Sequence, residues 1–413
     1  MKQVVIIGGG VIGLSTAFAL RQRGCQVTIL DQRHPGYGAS VVNAGWITPS
    51  LSGPVPAPGI VRGSLRWMMR SDSPLYIRPK PDVDLIRWLF SFWRYSNPRD
   101  YEAGMEATAE LNERTMPLYD EMAQAGVQFE MHKTGLVSAY VTPEVLERDR
   151  RELETLKSFG VEVTEPLWGD AMRDLEPALD GPLTGAFWIT SDRHVRPDSL
   201  VNGLVAYLKE QGAEIRSGIT VTGIEHSHGR ATALKTNQGQ IGGDTFVICA
   251  GAWSGKVAKL AGVRLPIQGG KGYSLDFSPP PVEIKHAVYL HEARVAITPV
   301  EGMVRLAGTM EFSGINEEVR PERVAAIANA AARCLRGWPA DYSNANVGSG
   351  LRPMTPDGLP AIGLLPGYRN LAVATGHAML GVTLAPATAD ALADALTTGA
   401  TPNVLRPFDP GRF

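Results

Sequence analysis

An α/β chain, α+β when taken whole, is predicted by three features of the sequence. The first is a strand, glycine turn, helix and strand within the first thirty-one residues. The second is a run of close-spaced β-rich segments from Leu265 to Gly314 with no helix between them. The third is a strand and long helix near the C-terminus, over 371–399, which return the chain to the kind of unit it began with. Strands alternating with helices predict a parallel sheet, and strands without crossover helices an antiparallel one. At 413 residues the chain exceeds one ordinary core, so two domains are expected.

Val4-Val5-Ile6-Ile7 is a β-branched run suited to a strand buried on both faces. It feeds into Gly8-Gly9-Gly10-Val11-Ile12-Gly13, a G-x-G-x-x-G. Leu14, Ala17, Phe18 and Leu20 then follow at helical spacing, and Gly24 stops the helix. Val27-Thr28-Ile29-Leu30 is the second strand; Asp31 stands at its end, followed by Gln32. Gly8 allows a tight turn, Gly10 lets a pyrophosphate approach the backbone, and Gly13 lets helix and strand pack closely. The helix N-terminus, at Val11 and Ile12, offers N–H groups and a partial positive charge. Asp31 can accept hydrogen bonds from a ribose diol. Strand, turn, helix, strand and acid in this order predict a dinucleotide site.

Composition narrows the function classes. Apolar content of 44% and charged content of 20% fit a globular protein, and a net charge of −2 gives no reason to expect nucleic acid. Cys25, Cys249 and Cys334 are too few and scattered for a disulfide framework or metal cluster. The first residues do not read as a signal peptide, and no apolar run reaches the ~20 residues of a spanning helix. A cytoplasmic enzyme is expected.

After the second strand comes Gly36-Tyr37-Gly38-Ala39-Ser40-Val41-Val42-Asn43-Ala44-Gly45-Trp46-Ile47-Thr48. Its small residues, hydroxyls and amide suit a loop lying close to a flat ligand. With the earlier G-x-G-x-x-G and terminal acid, this G-x-S-x-x-N-A-G resembles the D-amino-acid oxidase and dehydrogenase superfamily of FAD enzymes. The resemblance implies a Rossmann-like FAD-binding domain. In it the loop, through Ser40, Asn43, Ala44, Gly45, Trp46 and Ile47, runs along the pyrophosphate and under the isoalloxazine.

Pro49 to Pro58 is a proline-rich exit from this unit. Leu65-Arg66-Trp67-Met68-Met69, Ser73-Pro74-Leu75 and Ile77-Arg78-Pro79 follow. From Asp84 to Tyr95 the pattern is an amphipathic helix whose basic stripe holds Arg87, Ser91 and Arg94. Such a helix either lies in a membrane surface or docks on its own protein. This tryptophan- and proline-punctuated region is similar to bacterial D-amino-acid dehydrogenases. Further along, Glu106–Ala125 reads as a helix that Pro117 kinks or divides. Phe129–Ala139 reads as a strand pair and Thr142–Phe159 as a helix. No catalytic spacing occurs in 102–180, which is expected to be lid and scaffold.

Arg196-Pro197-Asp198 opens a helix carrying Leu200, Val201, Leu204, Val205 and Leu208, with Asp198 as N-cap. Ile215 and Gly218–Ile224 return to strand. Thr245–Cys249 is a strand ending in the small-residue turn Ala250-Gly251-Ala252-Trp253. The resemblance places Val221 at the adenine, and Ala250, Gly251 and Trp253 near the flavin phosphates. Pro321 starts a helix through Val324, Ile327, Ala328, Ala331 and Leu335.

The final stretch carries the most chemistry. Gly350-Leu351-Arg352-Pro353-Met354-Thr355-Pro356-Asp357-Gly358 leads to strand Leu371–Thr375. Gly376-His377-Ala378-Met379-Leu380-Gly381-Val382-Thr383 and a helix from about Leu384 follow. Both motifs look like the superfamily's C-terminal signature, with cofactor contacts implied at Gly381, Val382 and Thr383. The FAD-binding domain is thus discontinuous: 1–60, 190–262 and 345–413, with 61–189 and 263–344 forming a substrate domain on a mainly antiparallel sheet.

Arg352 offers a planar fork that binds a carboxylate by two parallel hydrogen bonds. In related amino-acid oxidases the arginine of this motif holds the substrate carboxylate; otherwise Arg352 is a salt bridge to an internal acid. His377 lies at the flavin edge or is a satisfied polar residue. Tyr273 and Tyr289 are pocket walls or lid phenols, or plain sheet residues. Covalent-flavin relatives have a cysteine where Gly350 stands, so FAD is expected to be non-covalent. Where glycine oxidases have a carboxylate-binding tyrosine, this chain reads Arg294-Val295-Ala296-Ile297.

The resemblance therefore implies oxidative deamination of a D-amino acid to the 2-oxo acid and ammonia, by hydride transfer from Cα to flavin N5, with no protein base required. The expected partners are a small amino acid and a quinone or other electron acceptor, with peripheral contact at the inner face of a membrane where the Asp84–Tyr95 stripe meets lipid. Alternatives are an oxidase passing electrons to O2 from glycine- or sarcosine-like or cyclic amines of the proline and D-hydroxyproline type, and a flavin-bearing non-catalytic subunit. An NAD(H) enzyme would need a separate nicotinamide fold, which the sequence does not show.

Overall fold

The structure is a computed structural model that describes residues 1–60, 75–78 and 82–413. The segments Leu65–Met69, Ser73-Pro74 and Pro79 of the tryptophan- and proline-punctuated region lie outside the described residues.

Strand Gln3–Ile7 lies inside a six-stranded sheet. The order is Glu214–Arg216, Gln26–Leu30, Gln3–Ile7, Thr245–Ile248, Leu371–Thr375 and Ala361–Leu364. All neighbours are parallel except the last pair. Because side chains alternate along a strand, Val4 and Ile6 face one layer and Val5 and Ile7 the other. The first layer is helical: Val11–Gln22, Pro197–Glu210 and Gly381–Thr398 bury Leu14, Leu204, Leu208, Leu384 and Leu392 against it. The second is a three-stranded meander, Val221–Ser227, Arg230–Thr236 and Gly239–Gly242, which contributes Ile224 and Leu234. Both faces of the sheet are covered, which is why its strands read as unbroken apolar runs.

The C-terminal helix begins three residues earlier than its apolar pattern suggests, since Leu384 N–H already bonds to the Leu380 carbonyl at 2.8 Å. It ends at Gly399 in the left-handed conformation. Asp198 is not the N-cap of its helix. Arg196 holds that position, and Asp198 lies in the first turn, 3.3 Å from the Arg196 guanidinium.

The second large sheet is mainly antiparallel. Its order runs Asn346–Met354, Gln268–Phe277, Met303–Phe312, Val295–Val300, Ala287–Leu290, Leu136–Tyr140, Gly185–Ile189 and Leu167–Trp168, with Leu75–Ile77 beside Met303–Phe312. Helix Pro321–Cys334 covers one face through Val324, Ile327, Ala328 and Ala331. The segment expected as one helix around Pro117 is two, Pro98–Asn112 and Thr115–Gln124, with the proline in the first turn of the second. The expected strand pair in 129–139 is not a hairpin. Met131–His132 joins a small sheet with Arg193–Val195 and Trp46–Ile47, while Leu136–Tyr140 enters the large one.

Helix Val83–Tyr95 is capped by Asp82, whose carboxylate accepts from the Asp84 and Leu85 N–H groups. It docks through Leu85 and Trp88, the latter donating to the Met354 carbonyl at 3.2 Å. Val83, Ile86, Phe90 and Trp93 stay exposed on its other side. Among the described residues no helix is long and apolar enough to cross a membrane.

Candidate active site

One cavity of about 1650 Å³ runs from the glycine turn of the parallel sheet to the inner strands of the antiparallel sheet. Pockets for a single small molecule measure roughly 300–1,000 Å³, so this one has room for a dinucleotide and a small substrate together.

At the nucleotide end, Gly8 takes φ +113°, and a Cβ there would collide with the Cys249 carbonyl. A Cβ on Gly13 would strike the Gly8 carbonyl oxygen, so Gly13 lets the helix sit on the strand. Gly10 faces the cavity, where an added Cβ would meet nothing closer than Ser40 Oγ at 3.2 Å. Ser40 Oγ also accepts from Val11 N–H at 2.9 Å, so this helix N-terminus is partly satisfied by the loop. Asp31 Oδ2 accepts from Gly9 N–H at 2.6 Å and Oδ1 from Arg33 N–H at 2.7 Å. Burial outweighs these bonds and raises the Asp31 carboxyl above its ordinary value. Ile12, Gln32, Val221, Ala250, Gly251 and Trp253 line the same end.

The 36–48 loop is fixed from three sides. Asn43 Oδ1 accepts from Gly45 N–H at 2.7 Å, and the Gly45 carbonyl accepts from Val195 N–H at 2.7 Å. Thr383 Oγ1 donates to the Trp46 carbonyl and accepts from Thr48 N–H, both at 3.1 Å. Arg305, buried and paired with Asp276 at 2.7 Å, donates to the carbonyls of Val41 and Asn43, each at 2.8 Å. The loop thereby presents Ser40, Asn43, Ala44 and Trp46 to the cavity, as the first turn of the C-terminal helix presents Gly381 and Val382. Gly13, Gly45, Ile47 and Thr383 do not reach the cavity wall and hold the lining from behind.

At the far end Arg352 enters from strand Asn346–Met354. Its guanidinium lies over Gly272 of the neighbouring strand and donates from Nη1 to the Thr309 carbonyl at 2.9 Å. Thr309 holds φ +61°, rare for a β-branched residue, and its position follows a register shift between Gln268–Phe277 and Met303–Phe312. Among the described residues no carboxylate pairs with Arg352. Burial pushes its pKa down to about 10, opposed by Tyr289, so it stays charged at neutral pH. Tyr289 meets Trp46 edge to face at 5.6 Å and accepts from Arg294 Nη1 at 3.1 Å.

Tyr273 also lines the cavity, but its hydroxyl is committed to Glu311 at 2.8 Å. Glu311 is ion-paired to the equally buried Lys271 at 3.0 Å. Burial lifts the Tyr273 phenol above its ordinary range. His377 is buried, with Nε2 3.0 Å from Thr388 Oγ1. Burial lowers its pKa to about 3, and the ring is neutral. Sequence reasoning brought these residues together but missed Arg305, Gly272, Thr309 and the Lys271–Glu311 pair. Charged residues inside otherwise apolar strands, as in Val304-Arg305-Leu306, were the available signal.

Residues 3–395 match the family of FAD dependent oxidoreductases designated DAO. The chain is 31% identical over 406 residues to a D-amino acid dehydrogenase of Rhizorhabdus wittichii, covering 95% of each chain. It is 32% identical over 412 residues to one of Cereibacter sphaeroides, covering 97% of this chain and 93% of that one. Among solved structures, a glycine oxidase from Geobacillus kaustophilus shares the fold at TM-score 0.78 and 24% identity, with both chains fully covered. An L-proline dehydrogenase from P. horikoshii does so at 0.75 and 21%, covering 100% of this chain and 97% of that one. The glycine cradle, the acid at the end of the second strand and the cavity's volume fit FAD, and the chain belongs to the DAO family of FAD-dependent oxidoreductases.

Proposed function

We propose that the protein is an FAD-dependent dehydrogenase of D-amino acids, oxidising its substrate to the 2-oxo acid and ammonia. Arg352 is the observation that carries this reading. Its guanidinium is half-buried, has no carboxylate partner among the described residues, and faces the same cavity as the nucleotide cradle. A substrate carboxylate matches its fork with two parallel hydrogen bonds. Gly272 and the Thr309 carbonyl fix where that fork points, so Cα is held in one orientation and the reaction gains by positioning. FAD, when bound, supplies the two-electron acceptor. His377 keeps a neutral ring, and Trp46 and Tyr289 form an aromatic wall of the same cavity. The names of the relatives from R. wittichii and C. sphaeroides support the D-series.

FAD would be held without a covalent bond by Gly8, Gly10, Val11, Ile12, Asp31, Gln32, the 40–47 loop, Val221, Ala250, Gly251, Trp253, Gly381 and Val382, with Gly13 and Thr383 in support. Of the three cysteines only Cys249 lines the cavity, and burial lifts its thiol to about 12, far from a reactive thiolate. The FAD-binding domain would be 1–60, 190–262 and 345–413, and the substrate domain 61–189 and 263–344, joined by the pairing of Asn346–Met354 with Gln268–Phe277. Electrons would leave to a quinone or other acceptor faster than to O2. Exposed Ile86, Phe90 and Trp93 beside exposed Arg87 and Arg94 support peripheral membrane contact.

Anaerobic mixing of the yellow protein with a panel of D-, L- and N-substituted amino acids tests the reading. Bleaching of the flavin by free D-amino acids is expected. Bleaching by L- or N-alkyl compounds alone, or by none, overturns it.

A further inference from the structure

The cavity holds a second guanidinium. Arg294 closes the turn between strands Ala287–Leu290 and Val295–Val300 with a left-handed backbone, φ 55°. It is an exposed residue that also lines the cavity. Its hydrogen bond goes to the Tyr289 hydroxyl at 3.1 Å and not to a carboxylate.

The acids around it make their hydrogen bonds to other groups, although the charge of Asp149 still favours the Arg294 cation. Asp149 is held by Arg148 at 2.9 Å and His291 at 3.1 Å, and also accepts from Tyr140. Glu292 accepts from the N–H groups of Val141 and Thr142. Glu152 accepts from Tyr101.

The two guanidinium groups are anchored to strands two steps apart in the sheet. Arg352 reaches the Thr309 carbonyl on strand Met303–Phe312, and Tyr289, the partner of Arg294, lies two strands further on. Two strand spacings are about 10 Å. A short α-amino dicarboxylate, with each carboxylate about 3 Å from its guanidinium, spans a gap of that order. A monocarboxylic amino acid would leave Arg294 facing an apolar side chain.

We propose that Arg294 is a specificity-determining residue that, with Arg352, selects amino acids bearing a second carboxylate. The inference rests on the assignment of Arg352 to the α-carboxylate. The second carboxylate is carried either by the side chain, as in D-aspartate and D-glutamate, or by a substituent on the amine, as in iminodiacetate.

The test compares kcat/KM for D-glutamate with D-glutamine, D-aspartate with D-asparagine, and iminodiacetate with sarcosine. It is run on the FAD-loaded wild type, Arg294→Gln and Arg294→Lys. In the wild type the acid should exceed its neutral counterpart in at least one of these pairs, by about 3- to 5-fold, the worth of an ion pair at an exposed guanidinium. Arg294→Gln should erase that ratio, and Arg294→Lys should keep part of it. The pair that shows the ratio, D-glutamate and D-aspartate or iminodiacetate, identifies where the second carboxylate sits. Binding without turnover gives a separate readout. Succinate and glutarate should raise the melting temperature of the wild type more than butyrate does, and Arg294→Gln should lose the difference. Neutral amino acids used as well as their acidic counterparts would overturn the proposal and leave the Arg352 reading standing. So would an Arg294→Gln variant that keeps the acid-to-amide ratio. A wild type whose flavin no amino acid bleaches would overturn both.

Discussion

Gly272 and Arg352 share one volume: the Arg352 guanidinium occupies the space where a Cβ on Gly272 would stand. The two residues lie on adjacent antiparallel strands, in which Gly270 is the register partner of Arg352. A glycine at 272 therefore decides where the Arg352 guanidinium points.

Gly272→Ala should accordingly behave as a displaced arginine. A shift of about 1 Å in a positioning group can cost on the order of 100-fold in rate, so kcat/KM should fall by about that factor. The flavin spectrum per mole of protein should stay at the wild-type value. An Ala variant with wild-type kcat/KM would show that the fork does not depend on this contact.

Asp31 ties the end of the second strand to the glycine turn, since one carboxylate oxygen holds Gly9 N–H. Asp31→Ala removes a charged acceptor, with an expected loss of roughly 1.5–3 kcal/mol in FAD affinity. Titration of apoprotein with FAD, followed by quenching of flavin fluorescence, measures it. Acid precipitation should release the flavin of the wild type into the supernatant; colour that stays with the pellet would contradict non-covalent binding.

Arg305 ties the 36–48 loop to the antiparallel sheet through two loop carbonyls and Asp276. Replacing it by Met leaves the half-buried Asp276 carboxylate and two loop carbonyls without their donor, a loss of about 1–3 kcal/mol. Chemical denaturation should show that loss, together with weaker FAD retention. A variant of wild-type stability would mean that the loop is held by Thr383 and Val195 alone.

His377 makes stability depend on pH in one direction. Its folded pKa is about 3, against an unfolded value of about 6.5. Between those limits the unfolded chain binds the extra proton, so stability falls as pH drops below about 6.5. At pH 5 the contribution is about 2 kcal/mol. His291 and His194, pushed down to about 3 and about 4 by burial, act in the same sense. Asp192, lifted to about 7 by burial, acts in the opposite one. His377→Asn against wild type isolates one term: its stability should fall less steeply from pH 6.5 to 5, by about 1.4 kcal/mol per pH unit. Parallel slopes would contradict a neutral buried ring.

The parallel sheet was legible because its signals are local. Val4–Ile7, the glycine spacing and Asp31 sit within one contiguous unit, and each acts through backbone geometry. The loop at 36–48 was legible in type, but its anchors come from Arg305, Val195 and Thr383, far along the chain. Arg352 could be singled out by its motif. Its freedom from a carboxylate partner could not, because that depends on strands brought together only by the fold. The pairing of Met131–His132 with Arg193–Val195 was likewise invisible, since two residues carry no periodicity.

Arg352 carries the proposed chemistry, and kcat/KM of Arg352→Ala and Arg352→Lys for the best D-amino acid tests its role most directly. Truncating one partner of a desolvated charge pair costs roughly 2–5 kcal/mol, so Ala should lose about 30- to several-thousand-fold. Lys, which keeps the charge without the fork, should fall between Ala and wild type. FAD content and melting temperature should hardly change, because the lost contact is to substrate. An Arg352→Ala protein of near wild-type efficiency would contradict the carboxylate clamp, and one that loses flavin or unfolds would make Arg352 a structural residue.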